Sequence, residues 1–397
     1  MTIYIDITQF IKKRAITGIQ RVIKEYVQNA LLAQVDIKIL CFNSQINSFE
    51  LIQNDEVLNF FKDIKNYTFV NKTQIDIFNQ PTFNNIFFDM DSVWNSSLDR
   101  ATLYKKLKNS NFKIFNFIYD LIPLLFPDFS YEKRVQNFTL FLSAVYEYSD
   151  FIFFDSHSAK NDFLHFKEKL NIKKNYSTKV VYLGCDFISN TPSKNEKYEH
   201  LLSKKYILFV GTVELRKHQP KVLEAFEILA AKYSDLNLVF IGKIGWNVEP
   251  FVQKMLNHPL KDKKFFWFEN IDDDVLSSFY QNAFLVTYIS EYEGYGLPIA
   301  ESLNYNNITI ASNNSSQCEV GQDFAEYISD NSISQVIEHI SFYYENPIMY
   351  KAKKEFIKLN YKPVSWNDTF NAINTVFKDE AFLKIPFSNS FKLINYN

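Results

Sequence analysis

Short apolar runs of strand length alternate with amphipathic stretches from one end of the chain to the other. Residues 3–7, 35–41, 86–89, 112–118, 151–155 and 180–183 form one series of runs, and 207–211, 236–242, 264–268, 284–290, 308–311 and 325–328 a second. Their near-continuous apolar character is that of parallel strands buried on both faces. Helical patterns lie between them, at 18–33, 131–148, 220–232 and 275–283. This alternation predicts an α/β protein whose parallel sheets are covered by helices on both sides. The polar, aperiodic segment 189–200, which contains Pro192, reads as a linker between two Rossmann-like halves, 1–190 and 201–363. Residues 331–379 are expected to be helical and residues 45–80 irregular.

Composition narrows the class. The 397 residues include 40 Phe and 24 Tyr but only 8 Gly, and 47% are apolar. That excludes a collagen-like or low-complexity chain and provides material for sizeable cores. With 43 basic and 45 acidic side chains the net charge is −2, which leaves no electrostatic footprint for nucleic acid. Cys41, Cys185 and Cys318 are scattered, so neither a zinc site nor a disulfide framework is indicated. The alternating start at residues 1–7 lacks the features of a signal peptide, and no window is apolar enough to span a membrane. A soluble, cytoplasmic protein is expected.

Because glycine is scarce, the positions that keep it are informative. Gly211 ends a strand run and is followed by Arg216 and Lys217 before a helix, a strand–turn–cation arrangement suited to an anion. Gly242, with Lys243 beside it, ends the next run, at the sheet edge where open α/β proteins bind ligands. Gly294 and Gly296 lie between a strand run and a helix opened by Pro298, so their amides and the helix terminus favour negative charge. Glu293 precedes that turn and Glu301 follows on the helix, as a loop carboxylate and a helix carboxylate facing one ligand. Gly18 repeats the strand–glycine–helix logic in the N-terminal half.

The strings at 211–217 (GTVELRK), 293–301 (EGYGLPIAE) and 311–321 (ASNNSSQCEVG) resemble glycosyltransferase family 4, retaining enzymes of the GT-B fold. Thr17-Gly18-Ile19, residues 119–123, residues 181–186 and Ser365-Trp366 are similar to further landmarks of that family. The resemblance implies two Rossmann-like domains facing across a cleft, with a helix at 364–379 crossing back to the N-terminal domain; the tail 380–397, outside the resemblance, is expected to pack on that domain. It implies a nucleoside-diphosphate-sugar donor on the C-terminal domain and a glycan or lipid-linked acceptor mostly on the N-terminal one. Carried over by position, Lys217 and Arg216 would hold the donor diphosphate. Glu293 with Gly294, Tyr295, Gly296 and Leu297 would hold the sugar and its phosphate, and Glu301 the ribose hydroxyls. Gly18, Gly211, Thr212 and Gly242 would line the donor site, with Ile271 near the base and Asp120 orienting groups in the cleft. Front-face attack, with cations and amides stabilising the leaving diphosphate, would need no metal or other cofactor. This chain has Tyr119 where many relatives have His, and Thr212 where many have Arg; Arg216 is expected to stand in for the latter. Bacterial surface polysaccharide assembly is the implied setting, with GDP-mannose the first donor to test.

Other readings use other residues. Asp89-Met90-Asp91 would be the metal-binding Asp-x-Asp of a transferase of the other major fold. Asp272, Asp273 and Asp274 suit helix capping better. No G-x-G-x-x-G follows a strand, against a dinucleotide-dependent oxidoreductase. A non-catalytic sugar-nucleotide-binding scaffold is the remaining alternative. Arg100, Lys105, Lys106, Lys108 and Lys113 would form a basic face for an anionic membrane, or else a solvated helix face.

Overall fold

A computed structural model describes residues 1–79, 85–186 and 196–379. The linker residues 187–195 and the tail 380–397 lie outside the described residues, so the expectation that the tail packs on the first domain does too.

The first domain is an eight-stranded sheet of β1 (Ile3–Asp6), β2 (Ile37–Asn43), β3 (Ser48–Ile52), β4 (Lys72–Ile75), β5 (Ile86–Asp89), β6 (Lys113–Ile118), β7 (Phe151–Phe154) and β8 (Ser177–Val180). The order is β4-β3-β2-β1-β5-β6-β7-β8, parallel except for the antiparallel β3 and β4 at one edge. The second domain has β9 (Lys205–Val210), β10 (Leu236–Ile241), β11 (Phe265–Phe268), β12 (Leu285–Tyr288), β13 (Thr309–Ser312) and β14 (Glu326–Ile328) in the all-parallel order β11-β10-β9-β12-β13-β14. The apolar runs became the central strands because both of their faces are covered: β1, β5 and β7 are buried at every residue. Phenylalanines fill the first core, where Phe115 stacks on Phe151.

Three expectations change. Residues 45–80 are not irregular: they form β3, the helix Asn54–Lys62 and β4. β4 is exposed along Lys72–Gln74, so its polar edge residues carried no apolar signal. The helix Glu196–Leu202 forms inside the expected linker, with Leu201 buried against the second domain. β8 precedes the apolar run at 180–183: as a half-buried edge strand it is polar, while Val181 and Leu183 pack beyond its end.

The helix Trp366–Lys378 crosses back to the first domain as expected. Ser365 and Asp368 close a capping box at its start. Its Phe370 meets Tyr26, and Phe377 stacks on Phe115.

The five cations read as a basic or solvated helix face do not share one surface. Arg100, at the start of the helix Arg100–Asn109, is buried in ion pairs of 2.6 Å with Asp6 and 2.8 Å with Asp89. Lys113 is buried in β6, and Lys108 pairs with Asp150 at 2.7 Å, leaving Lys105 and Lys106 exposed. Residue counting could not see that Arg100 neutralises carboxylates beneath the sheet edge.

The same cluster answers the Asp89/Asp91 reading. Asp89 takes Arg100 and the Tyr104 hydroxyl at 2.7 Å. Asp91 instead accepts the amides of Phe10 at 2.8 Å and Ser92 at 2.6 Å. The two carboxylates serve different partners within the first domain. Among the described residues no group of three His, Cys, Asp or Glu side chains is arranged to hold a metal ion, and no helix is long and apolar enough to cross a membrane.

Candidate active site

The carboxyl ends of both sheets open onto one cleft of about 760 Å³. The second domain contributes Gly211 and Thr212 after β9, Gly242 after β10 and Ile271 after β11. The segment after β12 adds Glu293, Gly294, Tyr295, Gly296 and Leu297, with Glu301 one turn further on. Arg216 and Lys217 reach the cleft from the short 3₁₀ turn Leu215–Lys217. The first domain contributes Gly18 and Asp120. Every site residue singled out in the sequence therefore lines this one cavity.

Glu293 is the electrostatic centre of the second-domain side of the cleft. Its Oε1 is 2.8 Å from Arg216 Nη1 and 3.4 Å from Lys217 Nζ. Burial works against the Glu293 charge, but Arg216 and Lys217 more than offset it and hold the carboxyl below its usual value. Arg216 also pairs through Nε with Glu214 at 2.9 Å and donates from Nη1 to the Tyr292 carbonyl at 2.6 Å, so two of its three nitrogens are held by the protein. Lys217 is less committed: its ammonium donates to the Tyr288 hydroxyl at 2.9 Å. Arg216 thus braces the loop, and Lys217, held by fewer protein contacts, lines the cleft beside it.

The loop after Glu293 is shaped by two glycines. Gly296, with φ 101°, turns the chain into the helix Leu297–Asn304 and brings no side chain to cap it. The helix terminus, with Pro298 in its first turn, faces the cleft. Gly294 lies against the other domain: a Cβ there would be 2.2 Å from the Tyr119 carbonyl oxygen and 3.0 Å from Asp120 Cβ. Glu301 is buried one turn into the helix and accepts from the Tyr280 hydroxyl at 2.9 Å. Burial raises its affinity for a proton, against which Arg21 and Tyr280 act.

On the first-domain side Asp120 both caps a turn, accepting the Ile122 amide at 2.9 Å, and lines the cleft. Tyr119 does not offer its hydroxyl to the cavity, because that group donates to the Met90 carbonyl at 2.8 Å. Among the lining residues that the sequence did not assign to the site are Arg21, Asp155 and Asp273, the last read there as a helix cap. Asp155 follows β7, and burial, then the charge of Asp120, push its carboxyl well above the ordinary range. Asp120 and Asp155 both line the cleft. Adjacent strand ends in a parallel sheet bring together residues 35 positions apart in sequence, which local motifs do not reveal. For Arg21 a signal was present, three residues after Gly18 in the first helical turn.

Contacts across the cleft hold the halves together. Ser156 donates to the Gly294 carbonyl at 2.6 Å. Glu319 accepts the amides of His157 at 2.8 Å and Ser158 at 2.7 Å, capping a first-domain helix from the second domain. Trp246 donates to the Phe129 carbonyl and lies under the Arg134 guanidinium, 4.4 Å from ring centroid to Cζ.

Residues 190–362 match the family model for glycosyl transferases group 1. The chain is 30% identical over 233 residues to the serotype-specific mannosyltransferase WbdA of Escherichia coli, covering 56% of this chain and 29% of that protein. It is 27% identical over 165 residues to O-antigen chain mannosyltransferase B of Escherichia coli, covering 40% of this chain and 43% of that one. The match thus spans well under half the length of these relatives. Among solved structures, Anabaena Alr3699/HepE in complex with UDP and glucose superposes with a TM-score of 0.67 at 11% identity, over 95% of this chain and 99% of that one. These likenesses support a glycosyltransferase. The chain has the GT-B fold, and its second half matches the glycosyl transferases group 1 family.

Proposed function

We propose that the protein is a retaining hexosyltransferase that moves a sugar from a nucleoside-diphosphate sugar to a glycan or lipid-linked glycan. Mannose from GDP-mannose is the first candidate, and O-antigen synthesis in the cytoplasm the setting. The observation that carries this reading is the convergence of Lys217, Glu293, the Gly294–Gly296 loop and Glu301 on one interdomain cleft. The two mannosyltransferase relatives favour the donor and the setting.

In this reading the chemistry follows from charge placement. As the glycosidic bond stretches, negative charge grows on the departing diphosphate. Lys217, backed by Glu293, and the uncapped end of the helix Leu297–Asn304 stand where that charge would form. Such preorganised groups need no reorientation during the reaction. The acceptor hydroxyl attacks from the face the diphosphate leaves and passes its proton to the leaving phosphate. Glu301 accepts from the ribose hydroxyls, and Lys217 supplies the positive charge that a divalent ion supplies in other transferases.

A thermal-shift screen with UDP-, GDP- and dTDP-sugars, with chelator present throughout, tests this. The true donor stabilises the fold by RT ln(1 + [L]/Kd), about 2.7 kcal/mol at a hundredfold excess over Kd. A shift with one nucleotide class supports the proposal. No shift with any donor contradicts it, and a shift that chelator abolishes contradicts metal independence.

A further inference from the structure

Two helices follow β14 on the second domain, Ile333–Glu345 and Pro347–Asn360. The later one is held to the protein along one side only. Ile357 is its one buried residue. Tyr350 stacks on Phe284 with 4.9 Å between ring centroids and donates to the Phe284 carbonyl at 2.8 Å, and Lys353 pairs with Glu326 at 2.8 Å. An amphipathic helix ordinarily turns its apolar stripe to the core. Here a stripe lies on the opposite side. At 3.6 residues per turn Ile348, Met349, Ala352, Phe356 and Leu359 share one side of the helix. All five are exposed, Ile348 by 82% and Leu359 by 63%. Phe356 meets the Phe324 ring, with 5.6 Å between centroids. Single exposed apolar residues are ordinary, but a row of them along one helix marks an interaction surface.

The chemistry beside the stripe is cationic. Residues 347–362 carry five lysines and one glutamate, on a chain whose net charge is −2. Lys353 and Lys354 are half-buried on the protein side. Lys351 and Lys358 line one flank of the stripe, Lys362 follows the last turn, and all three are exposed. The acid, Glu355, is 4.0 Å from Lys358. An apolar stripe bordered by lysines suits an anionic lipid surface: the apolar side chains enter the headgroup boundary and the ammonium groups stay at the phosphates. The 14 residues of the helix are too few to span a bilayer, so it would lie along the surface. A second copy docked antiparallel on the same face would set the lysine flank against itself.

We propose that the helix Pro347–Asn360 docks the protein on an anionic lipid surface, with Ile348, Met349 and Leu359 inserted at the headgroup boundary and Lys351, Lys358 and Lys362 at the lipid phosphates. The docking face then lies on the second domain, not on the helix Arg100–Asn109 of the first. Such docking would bring the cleft to the surface in which a lipid-linked acceptor is embedded. Lipid binding needs no nucleotide sugar, so it succeeds or fails apart from the transferase reading.

The test is co-sedimentation of the full-length protein with vesicles of phosphatidylglycerol and phosphatidylcholine in equal parts, and with vesicles of phosphatidylcholine alone. The wild type should sediment with the mixed vesicles, bind the neutral ones far less, and be released as salt is raised, because the lysine contribution is screened. Replacing Lys351, Lys358 and Lys362 by Gln should weaken binding on the order of a hundredfold, at about fivefold per lysine. Ile348→Ser with Leu359→Ser should weaken it by about tenfold or more, with the unfolding temperature unchanged. Lys105→Gln with Lys106→Gln, on the first domain, should bind like the wild type. Wild type that binds neither kind of vesicle overturns the proposal, as does a Ser variant or a Gln triple variant that binds like the wild type. A fall in unfolding temperature for the Ser variant means that the stripe is covered within the chain. A wild-type dimer in analytical ultracentrifugation that the Ser variant dissociates means that a second copy covers it. Either result also overturns the proposal.

Discussion

The carbonyl oxygen of Tyr119 occupies the place a side chain on Gly294 would need: a Cβ there would lie 2.2 Å from it. The two residues belong to opposite domains, so the loop after β12 and the end of β6 approach too closely for any side chain at position 294. Gly294→Ala should push the loop away from the first domain while leaving each sheet intact. A displacement near 1 Å can cost ~10²-fold in rate. The expected result is a loss of that order in kcat/KM, measured as nucleoside-diphosphate release, with circular dichroism unchanged.

Arg216 and Lys217 adjoin in sequence but differ in what they hold. Removing Arg216 leaves the buried Glu214 without its paired cation and Glu293 with only Lys217, at 3.4 Å. Breaking a buried pair in this way costs roughly 3–5 kcal/mol, so Arg216→Ala should lower the unfolding temperature markedly. Lys217→Ala leaves Glu293 paired with Arg216. It should fold with a small change in stability and lose about 10²–10³-fold in kcat. Thermal unfolding and turnover of the two variants side by side check this. Equal losses of stability would refute the division of labour.

The pair also shows how far the sequence could be read. Strand–glycine–cation spacing identified both residues, because the backbone geometry that makes an anion site is local. That Arg216 braces the loop was not legible: it depends on Glu214 and on the loop after β12, about 75 residues away in sequence. The central strands were legible because burial on both faces leaves a continuous apolar signature. β4 and β8 were not, because edge strands carry polar residues. The cross-cleft contacts Arg21–Asp273 and Gly294–Tyr119 arise only when the domains meet.

Asp91 makes a pH dependence of stability testable. Its carboxyl is pushed up to about 6 from 3.8, by burial first, with the amides of Ser92 and Phe10 acting the other way. The folded chain therefore binds this proton more tightly than the unfolded one. The stability linked to it is complete below the unfolded value and is lost as pH rises through about 6. The difference amounts to at most about 3 kcal/mol. Relative to Asp91→Asn, the wild type should gain unfolding temperature on going from neutral pH to about 5. Parallel unfolding curves across that range would show that Asp91 is ionised in both states.

Asp155 is buried, and its carboxyl binds a proton well above the ordinary range, burial being the main cause. An amide is a close mimic of a protonated carboxyl. Asp155→Asn should therefore change stability by less than about 1 kcal/mol, whereas Asp155→Ala, which leaves a hole and unpaired donors, should cost more. Chemical denaturation of both variants at neutral pH checks this. A larger loss in the Asn variant would mean that the charge is used.

The central claim is that this cleft cleaves a nucleoside-diphosphate sugar with Lys217 as the cation on the leaving group. The most direct measurement is nucleoside-diphosphate release from the stabilising donor by wild type and Lys217→Ala, in the presence of chelator. Steady release by the wild type and a loss of about 10²–10³-fold in the folded variant are expected. Equal rates for the two proteins, or no release from any donor by the folded wild type, would contradict it.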